Sequence, residues 1–395
     1  MFARPPKEPQ VTTPTQPQSK LPHVGTTIFS VMSKMAAEYG AINLSQGFPD
    51  FDCPSRLREL VVNALNSGKN QYPPMHGIPE LREAIAEKVA RLYGYQADPE
   101  TEVTVSSGAT EAIFDAIQAV AGSGDEVIVL DPAYDCYDPA IRLAGATPVH
   151  IPLALPDYRI DFDRLVSALN PRTRLLIINT PHNPCGTVMS RQDLDTLAEL
   201  LRDRDLLLLS DEVYEHMVFD GAQHISVLSH EELREKSFAV FSFGKTYHAT
   251  GWKLAYCIAP PILTAEFRKV HQFVTFTSVS FVQYAIADFL RECPQHADEL
   301  PDFYQAKRDT VNELLAPSRF TLKPSAGTYF QLADYSELSD LPDTDFANEL
   351  TQRHGVAAIP LTPFYQTPPQ TRIVRFCFCK DDATLKAAAE ILCAL

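Results

Sequence analysis

Lys245 follows the apolar run 238-FAVFSF. A lysine at the end of a buried strand is costly unless it is paired or used covalently, and an amine with lowered proton affinity forms a Schiff base with an aldehyde. Asp211 closes a second apolar run, 205-DLLLLS. A partly buried carboxylate there needs a cation, and a protonated ring nitrogen would serve. Asn183 and Tyr214 can donate hydrogen bonds to a ring phenolate. Ser107 and Gly108 follow 102-EVTVS and open a helical pattern, where free N–H groups and the positive end of the helix dipole suit a phosphate. Arg375 sits inside 372-RIVRFCFC, where a bidentate bond to a carboxylate is its natural partner. Taken singly, each residue also admits a structural role: an ordinary turn, a snorkelling lysine, a helix cap or an internal ion pair. Taken together, an aldehyde, a phosphate, a basic ring nitrogen and a phenolate describe pyridoxal phosphate, and the arginine describes an amino-acid substrate.

The elements that must position these groups are legible in the apolar pattern. The runs 102-EVTVSS, 126-EVIVL, 174-RLLIIN, 205-DLLLLS and 238-FAVFSF are short and apolar at consecutive positions, as in parallel strands buried on both faces. Helical patterns alternate with them. In 109-ATEAIFDAIQAVA, residues Ile113, Ile117 and Val120 share a face, and 190-SRQDLDTLAELLRDR begins on a candidate N-cap, Ser190. The alternation predicts an α/β fold with a mainly parallel sheet flanked by helices. In such sheets ligands gather at the carboxyl ends of strands, which is where the polar residues above fall. After about residue 300 the texture becomes a smaller α+β unit: a helix from 301-PDFYQAKRDTVNELL, then strands in TYFQLADY, GVAAIPL and RIVRFCFC. The stretch 25-GTTIFSVMSKMAAEYG reads as a helix that joins it. The expected organisation is a Pro-rich tail at 1–24, a small unit from 25–50 and 300–395, and a large cofactor-binding unit at 51–299.

Composition narrows the function classes. Lys and Arg total 34 against 50 Asp and Glu, a formal charge of −16 over 395 residues. A phosphate-tracking nucleic-acid surface is therefore not expected. The eight cysteines form no CxxC and no zinc spacing, so no metal is expected and reduced thiols in a cytoplasmic enzyme are. No apolar run approaches the roughly 20 residues that cross a bilayer, and no membrane partner is expected. Residues 1–22 hold six prolines among scattered Thr and Gln, the composition of a disordered segment or an arm lying on another surface. Gly122-Ser123-Gly124 starts like a dinucleotide fingerprint, but Val127 stands at the position of its last glycine and the run precedes a strand rather than a helix.

The segments INLSQGFPDF, QYPPMHGIPELREAIAEK, SSGATEAI, GDEVIVLDPAYDCY, NTPHNPCGTV, SDEVYEHM, SFGKTYHATGWKLAY and RIVRFCF resemble the class I/II pyridoxal-phosphate aminotransferases of fold type I. The resemblance is strongest to the branch of kynurenine/glutamine and bacterial methionine aminotransferases, and it runs from about residue 25 to the C-terminus. It implies that Lys245 carries the cofactor and moves the substrate proton, that Asp211 pairs with the ring nitrogen, and that Asn183 and Tyr214 bond the ring oxygen. It implies that Tyr134 stacks on the ring, that Ser107, Gly108 and Ala109 offer N–H groups to the phosphate, and that Ser242 and Lys253 lie beside it. Tyr72 would reach the phosphate of a neighbouring subunit, making a homodimer. Arg375 would clamp the substrate carboxylate, with the backbone of Gly47 close by, and Phe29, Tyr72 and Phe276, some of them from the neighbouring subunit, would line the side-chain pocket.

One departure matters. The aspartate-using branch commonly has arginine eight positions after the Schiff-base lysine; here the residue is Lys253. No motif supplies a second arginine for a side-chain carboxylate, so the implied substrates are methionine, aromatic or kynurenine-type amino acids, with a 2-oxo acid as acceptor in a ping-pong cycle. Elimination from cysteine conjugates at the same site is the alternative reaction. A pyridoxal-phosphate-sensing transcriptional regulator is the remote one, because 24 Pro-rich residues are too few for a DNA-binding domain.

Overall fold

The structure is a computed structural model and describes residues 18–395; most of the Pro-rich tail, residues 1–17, lies outside the described residues. Seven strands form the main sheet, in the spatial order Val103–Ser106, Ala255–Ile258, Ser237–Ser242, Leu207–Asp211, Thr173–Asn179, Glu126–Asp131, Thr147–Pro152. All pairs are parallel except those made by Ala255–Ile258, which runs against both of its neighbours. Both faces are covered. Ile128, Leu176, Ile178, Leu208 and Phe241 enter one apolar cluster, while Val127, Leu175, Ile177, Leu209 and Val240 enter another. The strict alternation is the strand period of two applied to a sheet with helices on each side.

All five expected strands are present. Two further strands escaped the sequence pattern for physical reasons. Thr147–Pro152 carries Pro148 and Pro152 and occupies the edge of the sheet, where a missing N–H is tolerated. Ala255–Ile258 has four residues, too few to show a period beside the prolines that follow. The helix at Ala109–Val120 buries Ile113 and Ile117. Arg191–Arg202 begins on Ser190 with a reciprocal capping box to Asp193. The helix expected from Pro301 starts earlier and runs Gln295–Leu315 with Pro301 inside it; the buried face continues back through Leu300 and Ala297, and this packing outweighs the lost backbone bond.

A third apolar cluster gathers Met32, Leu44, Tyr304, Phe330, Val356, Phe376 and Leu385, and it takes in Val213, Tyr214, Met217 and Phe219 from the loop after strand Leu207–Asp211. Its antiparallel sheet has the order Ile359–Pro360, Ile373–Cys377, Phe330–Asp334, Thr321–Leu322. Helix Ile28–Tyr39 packs here through Met32, and Ile42–Asn43 pairs in parallel with Val356–Ala357.

Candidate active site

The register of the main sheet brings the functional residues together. Asn179 and Asp211 are direct cross-strand partners, and Ser106 and Ser242 both pair with Ala255. The carboxyl ends of four strands therefore stand in a row and open into one cavity of about 300 Å³. The second sheet closes the cavity from the other side with Arg375 and Phe330. Of the residues singled out in the sequence, Phe29, Gly47, Gly108, Ala109, Tyr134, Asn183, Asp211, Tyr214, Ser242, Lys245, Lys253 and Arg375 line it.

Lys245 lies in the helical turn Phe243–Thr246 that follows strand Ser237–Ser242. Its Nζ donates to the Tyr329 hydroxyl at 3.0 Å and to the Gly47 carbonyl at 3.3 Å, while Tyr329 Oη donates to the same carbonyl at 2.6 Å. Burial lowers the amine to a pKa of about 8, so a substantial fraction is neutral near pH 8. Gly47 has no room for a side chain, since a Cβ would stand 2.9 Å from Phe330 Cζ.

Asp211 is buried and has no cationic partner within salt-bridge distance among the described residues. Its Oδ2 accepts from Tyr137 Oη at 2.6 Å and its Oδ1 from the Val213 N–H at 3.4 Å. Burial raises its pKa to about 6 despite those two bonds. A buried carboxylate with its proton affinity raised in this way is the complement of a protonated ring nitrogen. Asn179 braces the neighbourhood: its Nδ2 donates to the Asp211 carbonyl at 2.8 Å, and its Oδ1 accepts from the Asn183 N–H at 2.7 Å.

Arg375 has no exposed surface. Its two terminal nitrogens donate to Asn183 Oδ1 at 2.6 Å and to the Ser45 carbonyl at 3.1 Å, and its Nε has no partner among the described residues. The guanidinium lies 3.8 Å from the centroid of Phe330. Burial pushes its proton affinity down. Because Asn183 gives its oxygen to Arg375, its amide N–H groups remain for a ligand. Tyr134 forms a wall beside Phe29, with ring centroids 6.3 Å apart.

Gly108 has φ +92°, and a Cβ would meet Lys253 Cε at 2.9 Å. Only glycine suits that backbone and that close approach. The glycine caps helix Ala109–Val120, so the first N–H groups of the helix are free, with the Lys253 amine against them. Ser107 departs from the sequence expectation. Its N–H donates to the Glu111 carboxylate and its hydroxyl meets Ser278 Oγ at 2.9 Å, so its N–H is already committed and Gly108 and Ala109 remain as the candidate N–H donors to an anion. Tyr72 and Phe276 stand outside the cavity of their own chain, 85% and 46% exposed, with ring centroids 5.6 Å apart.

Two tyrosines that bond candidate site residues escaped sequence reasoning. Tyr137 is in the quoted segment DPAYDCY, three residues past Tyr134, and it opens the helix Tyr137–Ala144 six residues beyond the end of strand Glu126–Asp131. Tyr329 sits in TYFQLADY, which reads only as a strand; nothing local shows that it reaches Lys245.

A family model described as aminotransferase class I and II matches residues 39–392. The methionine aminotransferase of Escherichia coli is 51% identical over 379 residues, covering 96% of this chain and 98% of that protein. Kynurenine–oxoglutarate transaminase 1 of Rattus norvegicus is 34% identical, covering 94% and 96%. A crystal structure of an Escherichia coli protein identified as having a methionine aminotransferase function superposes with a TM-score of 0.95 at 51% identity, over 97% of this chain and 100% of that one.

Proposed function

The chain belongs to the class I and II aminotransferases, and from that premise we propose that it takes the amino group from methionine or from an aromatic or kynurenine-type L-amino acid and passes it to a 2-oxo acid. Its cofactor is pyridoxal phosphate, and its substrates are amino and oxo acids. The cavity fits that group: Asp211 is a buried carboxylate with no salt-bridge partner among the described residues, Gly108 leaves a cradle that a Cβ would fill, and Lys245 is a buried amine. When bound, pyridoxal phosphate supplies the aldehyde that condenses with amines and a ring that accepts the electron pair freed at the substrate α-carbon.

The chain's own residues do the rest. The Gly108 and Ala109 N–H groups, with Ser242 and Lys253, would hold the phosphate; Asn183 and Tyr214 would hold the ring oxygen, Asp211 the ring nitrogen and Tyr134 the ring face. Arg375 binds and orients the substrate carboxylate through a guanidinium that forms no salt bridge among the described residues. Lys245 Nζ, steered by Tyr329 and the Gly47 carbonyl, takes the proton from the α-carbon and later returns it, as a positioned general base does. Phe29, Phe48 and Phe330 give the remaining wall an apolar, aromatic character, which suits a thioether or an aromatic ring better than a second carboxylate.

The observation that carries this reading is Arg375, a fully buried guanidinium facing the same cavity as Lys245 without a carboxylate partner among the described residues. We further propose two units, 51–299 and 25–50 with 300–395, and a homodimer in which the exposed Tyr72 and Phe276, with Phe273 at 86% exposure three residues before Phe276, meet a second copy and reach its site. Eight unpaired cysteines support a reducing, cytoplasmic setting, and no helix of the described residues is long and apolar enough to cross a membrane. The test is a panel of amino acids scored by loss of the aldehyde-form absorbance, then a panel of oxo acids scored by its return. Methionine and aromatic substrates should lead; aspartate reacting as fast as methionine would overturn the substrate assignment.

A further inference from the structure

Behind the phosphate seat lies a buried group of charges that the reaction does not use. Glu111 and Asp115 project from one face of helix Ala109–Val120, and His271 meets them from helix Pro261–Val274. His271 Nδ1 lies 2.8 Å from Glu111 Oε1 and 3.4 Å from Asp115 Oδ2, and its Nε2 lies 2.9 Å from the Met75 carbonyl. A carbonyl and a carboxylate can only accept, so both ring nitrogens donate and the ring is an imidazolium. Burial opposes that charge, but the nearby Asp115 carboxylate and the bond to Glu111 raise its pKa to about 9. With both nitrogens carrying protons the ring has no lone pair to offer a metal ion. The cluster is therefore an ion triad, and the remaining question is what it holds.

It holds the backbone that forms the seat. Glu111 uses its second oxygen to accept from the Ser107 N–H. That bond fixes the Ser106–Ser107 peptide, one peptide ahead of Gly108, the residue with the left-handed φ and the close approach to Lys253. The imidazolium of His271 balances the Glu111 charge while Glu111 holds Ser107. We propose that Glu111 and His271 are positioning residues for cofactor phosphate: they turn the Ser107–Gly108 backbone so that the Gly108 and Ala109 N–H groups stay free and face the cavity. The inference rests on the reading of that seat given above.

The seat can be separated from the rest of the site by chemistry, because pyridoxal carries the aldehyde and the ring but no phosphate. The full chain, stripped of cofactor, is titrated with pyridoxal phosphate and with pyridoxal. Glu111→Ala should weaken pyridoxal phosphate by about tenfold or more, the scale of one charge-assisted hydrogen bond, and leave pyridoxal unchanged. Glu111→Gln should recover most of the loss, because its oxygen still accepts from Ser107 and its amide can donate to a neutral His271. If Glu111→Ala does not fold, Glu111→Met fills the same volume on a good helix former and makes the same comparison. Equal weakening of both ligands, or weakening of neither, would overturn the positioning role. A wild-type chain that binds pyridoxal as tightly as pyridoxal phosphate would overturn the seat itself, and the positioning role with it.

Discussion

Replacing Arg375 by methionine separates substrate recognition from stability. The guanidinium is wholly buried, and its own attachments are two hydrogen bonds, to Asn183 at 2.6 Å and Ser45 at 3.1 Å, and the face of Phe330 at 3.8 Å. Two charged hydrogen bonds contribute about 3–6 kcal/mol, and the aromatic face about 2 kcal/mol. The effective penalty for burying an ion is of similar size, several kcal/mol. The stabilising and destabilising contributions nearly cancel, so Arg375→Met should change unfolding free energy by no more than about 2 kcal/mol. Catalysis should not be spared. A substrate carboxylate that loses two charged hydrogen bonds loses about 3–6 kcal/mol, or about 10²–10⁴-fold in kcat/KM. The assay compares methionine with its decarboxylated amine, 3-(methylthio)propylamine, in the first half-reaction. The wild type should favour methionine strongly, and the variant should favour it little or not at all while reacting with the amine about as the wild type does. A variant that kept its preference for methionine would refute the assignment of Arg375 to the carboxylate.

Tyr137→Phe removes the 2.6 Å bond to Asp211. The carboxylate then loses a donor that favours its charged form, so its proton affinity rises and the acid limb of the kcat profile moves to higher pH. The expected fall in kcat is about tenfold, the size of one charged hydrogen bond; an unmoved acid limb would count against the link. His150 lies between Asp131 at 2.7 Å and Asp138 at 3.0 Å. Burial works against its charge, but both carboxylates together raise its pKa to about 9 from an ordinary 6.5. Its contribution is complete below pH 6.5 and is lost as pH rises through 9. His150→Gln should therefore lose about 1.5–3 kcal/mol at pH 6 in urea unfolding and much less at pH 10; a pH-independent loss would contradict the imidazolium.

How much of this was legible in the sequence depends on the range of the interaction. Strand ends are local events, so Asn183, Asp211, Lys245 and Gly108 could be placed at one edge of a parallel sheet from the order of apolar runs and polar residues alone. Ser107 was legible as part of the seat but not in its role, because its N–H is claimed by Glu111 one helical turn on, a choice that depends on His271 far along the chain. Tyr329 reaches Lys245 and Gly47 across 84 and 282 residues of sequence, and no local pattern encodes such a contact. The edge strand with its prolines was hidden because edges relax the rules that make central strands recognisable. The helix that continues through Pro301 was hidden because packing of Leu300 and Ala297 outweighs a local breaker.

The central claim is that the Lys245 amine is the point of attachment for the pyridoxal phosphate aldehyde. Borohydride reduction of the freshly purified, cofactor-loaded chain, followed by peptide mass mapping, tests it directly. A reduced pyridoxyl-phosphate adduct on the peptide that carries Lys245, and its absence from Lys253 and from the Lys245→Ala chain, is the result expected. An adduct on another lysine, or a loaded chain that borohydride leaves unmodified, would contradict the account.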